Sequence, residues 1–185
     1  ANGFVTSSPA SRHGSVQSSY PADYATAQRF TCPGSGTQEI SEIGIWACKS
    51  SSNRSIKFAI YTNDSVNVCP ETMVANSEIS ATITKASPIA KTAATYTTKP
   101  TLTGGVSYWI AFLNDCDAYN TIDVDYLSTP GNPNIYLTAK YPTWPTSSGW
   151  ESHTDWDIAD LGIYAVYQQA ATLPPFDYYY NNMRP

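Results

Sequence analysis

From Tyr24 onward, apolar and polar residues alternate in short runs with a period of two, the pattern of strands that bury one face. In EIGIWAC, Ile43, Ile45 and Ala47 fall on one face, with Gly44 and Trp46 on the other. Ile56, Phe58 and Ile60 alternate with Lys57, Ala59 and Tyr61. Val106, Tyr108, Ile110 and Phe112 do the same after the Gly104-Gly105 turn, and Ile122, Val124 and Tyr126 alternate with Asp123 and Asp125. Ile135, Leu137 and Ala139 follow the turn Pro130-Gly131-Asn132-Pro133, and Leu161, Ile163 and Ala165 close the series. No window keeps an i, i+3, i+4, i+7 stripe, so helices are not expected. Many short strands separated by turn signals argue for an all-β chain, a single antiparallel β-sandwich of jelly-roll type. GIYAVY is apolar on both faces, which places the last strand in a sheet interior. The period-two texture is absent from residues 1–23, rich in Ser, Ala and Pro, and from the Tyr-rich residues 170–185. The expected organisation is therefore an N-terminal arm (1–23), a sandwich (24–169) and a C-terminal tail (170–185), with both termini extended.

Composition narrows the function classes. Of 185 residues, 42% are hydrophobic, enough for a real core and against wholesale disorder. Only 14% are charged, against roughly 25% in an average domain. Ten Lys and Arg against fifteen Asp and Glu give a net charge of −5. That balance argues against a nucleic-acid partner held by phosphate neutralisation. No apolar run approaches the ~18 residues of a membrane span. With no initiator Met and no signal peptide, the sequence is expected to be a mature, processed chain.

Four cysteines occur, at Cys32, Cys48, Cys69 and Cys116, none in a C-x-x-C pair and none in a zinc spacing. An even count in a charge-poor chain fits two disulfides in an oxidising compartment. Of the three pairings, Cys32–Cys48 with Cys69–Cys116 is preferred because Cys32 and Cys48 end adjacent strand candidates; four unpaired buried thiols are the alternative. The expected location is extracellular, at a cell or virion surface. Two glycosylation tripeptides, at Asn53 and Asn63, add little, since the motif is common by chance.

The stretch from Arg29 to Gln168 resembles a group of small jelly-roll modules found in secreted bacterial proteins and phage structural proteins. The resemblance runs through Phe30, EISEIGIWA, FAIYTND, TLTGGVSYWIAF, YPTWP and DLGIYAVYQ. Its most specific piece is the pair FAIYTND and GGVSYWIAF at their present separation. It implies a non-enzymatic binding or assembly module and transfers no functional residue; the termini and the cysteines lie outside it.

Three groups of residues could carry chemistry. Asn114, Asp115, Asp117, Asn120, Asp123 and Asp125 could supply several of the 6–8 oxygens that Ca²⁺ takes, although the EF-hand order is absent. No cofactor is required, and calcium is the possible one. Because Asp123 and Asp125 alternate with core positions, the competing expectation is that they face solvent. Tyr141, Trp144, Trp150 and Trp156, with His153 and Asp155, form a second group in which rings could stack on a sugar while polar groups bond its hydroxyls. The competing reading has these rings plugging the sandwich or packing on a neighbour. There is no G-x-S-x-G, and His153-Thr154-Asp155 lacks a partner nucleophile in sequence, so no enzyme is expected.

The termini carry the third group. Phe4 and Val5 in the arm, and Phe176, Tyr178, Tyr179 and Tyr180 in the tail, offer the apolar and amphipathic area used by interface anchors. An extended arm could also add a strand to a neighbour's sheet. The leading expectation is a non-catalytic extracellular structural subunit, a homo-oligomer or one of several neighbouring subunits in an appendage, filament or virion. The alternative is a carbohydrate-binding or adhesive module with a glycan partner at the aromatics around Trp144.

Overall fold

A computed structural model describes residues 2–12, 14, 16–20, 24–49, 52–84, 89–116, 122–128, 131–155 and 160–170. The strands, in chain order, begin with β1 (Gly3–Val5), β2 (Val16–Tyr20), β3 (Tyr24–Thr31), β4 (Thr37–Lys49), β5 (Arg54–Asp64), β6 (Cys69–Met73), β7 (Ile79–Ile83) and β8 (Ala90–Thr95). They continue with β9 (Thr101–Thr103), β10 (Ser107–Asn114), β11 (Ile122–Leu127), β12 (Asn134–Thr138), β13 (Thr154–Asp155), β14 (Asp160–Leu161) and β15 (Ile163–Gln169). One helix among the described residues, α1 (Ser147–Trp150), interrupts them.

The strands form two sheets of a β-sandwich. An eight-stranded sheet runs β1-β15-β4-β11-β14, with β2 on β11 and β8 and β9 on β4. A seven-stranded sheet runs β13-β12-β3-β10-β5-β6, with β7 on β5. The alternation read from sequence decides which side chains meet between them. Ile43, Ile45 and Ala47 of β4, Ile56, Phe58 and Ile60 of β5, Tyr108, Ile110 and Phe112 of β10, and Ile163 and Ala165 of β15 all lie in one buried cluster. Each Ile or Phe fully removed from water contributes about 1.5–3 kcal/mol. As expected, β15 is interior, flanked by β4 and β1.

The outer face of the seven-stranded sheet is covered as well. Ala25, Ala27, Ala59 and Ala111 keep that surface low, and Trp109 and Trp150 lie over it fully buried. The central strand β10 is therefore buried on both faces from Tyr108 to Asn114.

The described N-terminal residues pack on their own sandwich rather than extending from it. Gly3–Val5 add to β15 in parallel, and Val16–Tyr20 pair with β11. Between them the chain crosses the outer face of the eight-stranded sheet. Ser8 Oγ lies 3.4 Å from Tyr164 Oη and accepts from Lys91 Nζ at 2.7 Å. Arg12 then reaches Asp125. This strap overturns the solvent-facing expectation for Asp125, whose side chain is fully buried. Phe4 packs against the central cluster and meets Tyr108 edge-on at 6.4 Å. Val5 is half-buried beside Val166. The tail residues Phe176, Tyr178, Tyr179 and Tyr180 lie outside the described residues.

The disulfide expectation is also corrected, because all four cysteines are separate buried thiols. Cys32 sits at the end of the sandwich where β4 begins, whereas Cys48 lies eleven residues along β4, about 36 Å away at ~3.3 Å per residue. Cα atoms more than ~7 Å apart cannot be bridged. Cys69 pairs with Asp64 at the close of β5, whereas Asp115, beside Cys116, bonds Ser55 at its opening. The two cysteines at each end also belong to different layers. Cys32 and Cys116 point into the central cluster, Cys69 into the outer aromatic one, and Cys48 onto the outer face beside Asp123. No described helix is long and apolar enough to cross a membrane.

Candidate functional site

The aromatic segment that follows β12 folds over the outer face of the seven-stranded sheet. Ala139 is buried there, and a turn closes by Thr143 N–H donating to the Lys140 carbonyl at 2.9 Å. Lys57 of β5 ties this turn down, donating Nζ–H to the Pro142 carbonyl at 3.2 Å while pairing with Glu78. Thr146 then caps α1, its Oγ1 accepting from Gly149 N–H at 3.1 Å. A capped turn of helix directs Trp150 downward into the alanine-lined surface.

Tyr61 organises the rings from below. Its ring meets Trp150 edge-on at 5.7 Å and Trp144 edge-on at 5.9 Å. Such T-shaped pairs contribute about 0.5–1.5 kcal/mol beyond their burial. Burial pushes the Tyr61 hydroxyl well above its ordinary value, so it stays protonated. Trp150 has no exposed surface, which removes it from the ligand-stacking set and makes it the plug of the competing expectation. Trp144 and Tyr141 are half-buried and share a groove of about 420 Å³ with Thr138, Lys140, Thr143 and Thr146. The groove thus combines two aromatic residues with three threonines and a lysine.

His153 and Asp155 lie beyond α1 and do not line the groove. His153 Nδ1 is 2.8 Å from the Trp150 carbonyl, and Nε2 is 3.1 Å from Asp155 Oδ1. Both ring nitrogens are therefore engaged by acceptors among the described residues. Trp156 lies outside the described residues.

The described members of the oxygen-rich stretch bond elsewhere in the fold. Asp115 Oδ1 accepts the Ser55 N–H at 2.9 Å, and Asn114 Oδ1 accepts the Cys116 N–H at 3.1 Å. Asp123 sits beside the Cys48 thiol, and Asp125 is bound by Arg12 and Gly14. Asp117 and Asn120 lie outside the described residues. Among the described residues, no group of three His, Cys, Asp or Glu side chains is placed to hold a metal ion.

Sequence reasoning brought Tyr141 and Trp144 together but missed Tyr61 and the threonines. Tyr61 carried a usable signal, since it alternates out of phase with the core residue Ile60. Thr138, Thr143 and Thr146 carried none, as threonine is abundant along the whole chain. The chain matches no protein-family model and no curated protein sequence.

Proposed function

We propose that this chain is a non-catalytic extracellular β-sandwich of jelly-roll type that binds a glycan in the groove beside Trp144. The observation that carries the reading is the groove itself, which the half-buried Tyr141 and Trp144 line together with Thr138, Thr143 and Thr146. Sugar rings present apolar C–H faces to aromatic rings and hydroxyls to polar side chains, so this mixture suits them. A volume of about 420 Å³ falls within the ~300–1,000 Å³ of small-molecule sites. The rings are held from beneath by Tyr61 and from the side by the Lys57 contact, which lowers the ordering cost of binding. The test is a glycan array followed by titration calorimetry on any sugar that is captured. Trp144→Ala and Tyr141→Ala should each weaken binding about tenfold or more, the loss of at least ~1.4 kcal/mol. An array without a binder, or a Trp144→Ala variant with unchanged affinity, overturns the proposal.

A second reading, as a subunit of an appendage, filament or virion surface, is favoured by the N-terminal strand. β1 adds to the edge of the eight-stranded sheet, the position at which one chain can complete the sheet of another. The two readings are compatible, because a surface subunit can also adhere.

A further inference from the structure

We infer that the N-terminal strap is exchangeable, so that β1 of one chain seats against β15 of a second copy and links the copies. The inference develops the assembly reading and is independent of the groove. Its first support is the mode of pairing. Gly3, Phe4 and Val5 lie opposite Tyr164, Ala165 and Val166 in the single parallel pairing among the described strands. A parallel neighbour cannot be delivered by a tight hairpin, so non-covalent contacts alone select the occupant of this seat.

The seat also requires an occupant. Without β1 the edge of β15 is bare, and an unpaired strand edge is a template for another chain. Without the strap, Asp125 loses Arg12 Nε–H at 2.9 Å and Gly14 N–H at 2.9 Å, the partners of a carboxylate with no exposed surface. The seat is shaped for this particular segment. Gly3 has φ of +71°, and a Cβ there would come within 2.6 Å of the Phe30 ring, while Phe4 lies edge-on to Tyr108. The occupant is therefore a second copy of the same strap, which remakes every one of these contacts. Exchange between identical chains is a low-cost route to association. When each chain gives its strap to the next, the contact is head-to-tail and produces rings or filaments according to whether the rotation closes.

The test uses the full chain with Val5→Cys and Val166→Cys, refolded over a range of concentrations and then oxidised. Exchange predicts covalent dimers and longer species joined through positions 5 and 166, with the ratio of dimer to monomer rising in proportion to concentration. A link formed only within single chains at every concentration, or no link at all, overturns the inference. Should the double variant fail to fold, the unaltered chain is refolded from denaturant at high concentration and sedimented. Oligomers that dissociate only after unfolding and dilution support exchange, and a monomer throughout overturns it.

Discussion

At the residue scale, close approaches decide which side chains this sandwich tolerates. Gly44 lies under the Tyr164 ring, whose hydroxyl donates to Glu42 Oε1 at 2.7 Å. A Cβ at position 44 would come within 2.7 Å of both Tyr164 Oη and the Thr92 carbonyl oxygen. One of these is backbone, so the strain cannot be relieved by a side chain alone. Gly44→Ala should lower the free energy of unfolding by about 1–3 kcal/mol, read from urea denaturation. The thiols add a pH dependence. Burial pushes Cys32 from 9.0 to about 11. Burial also raises Cys48, helped by the Asp123 carboxylate, and raises Cys69. The folded chain therefore keeps these protons after the unfolded chain has released them. The stability that Cys32 contributes is complete below about pH 9 and is lost as pH climbs toward about 11, and Cys48 and Cys69 act in the same direction. For Cys32 the loss runs at up to ~1.4 kcal/mol per pH unit within that window. Urea denaturation across that window should give a falling stability, and Cys32→Ala, which cannot ionise in either state, should make the fall shallower.

At the scale of elements, the strap is the piece whose energetics are most open to measurement. Asp125 is fully buried while the Arg12 side chain keeps 31% of its exposure, so the pair is only partly shielded. Breaking a buried pair by removing one partner costs ~3–5 kcal/mol, and the exposure of Arg12 places its removal toward the lower end. Arg12→Ala should therefore destabilise strongly in the parent chain and little in an Asp125→Asn background, and a double-mutant cycle should return a coupling well above the ~0.5 kcal/mol of independent sites. Coupling at that baseline would mean that the strap lies on the sheet without holding it. The same element marks where sequence was legible. Alternation placed Ile43, Ile45, Ile56, Phe58, Ile110 and Ile163 correctly, because a two-residue period is imposed by strand geometry itself. It misjudged Asp125, because a period distinguishes the two faces of a strand without revealing what covers the second one. Segments such as Ser8–Arg12 have no period and cover a face through individual contacts. For the same reason sequence left Trp150 open between ligand contact and plug, since the alanines that receive it belong to strands remote in sequence. Tyr141 and Trp144 were legible because they sit in a proline-bounded loop whose composition is unusual in itself.

At the scale of the whole molecule, the placement of the cysteines separates stability from redox state. Two thiols lie toward each end of the sandwich, and at each end they occupy different layers. The paired core strands, rather than cross-links, then set the stability of the fold. A native disulfide in a small domain typically contributes 2–5 kcal/mol, so its presence is readily detected. Thermal unfolding with and without dithiothreitol should give the same midpoint, and a thiol-reactive dye should count four groups after denaturation in guanidinium without reductant. In the native state the dye should react slowly, because all four thiols are buried and the three with raised ionisation hold little thiolate near neutral pH. A midpoint that falls on reduction, or fewer than four groups in the denatured chain, would show that cysteines at opposite ends of the sandwich, or in different layers at one end, had been joined, which requires a different path for the strands that carry them.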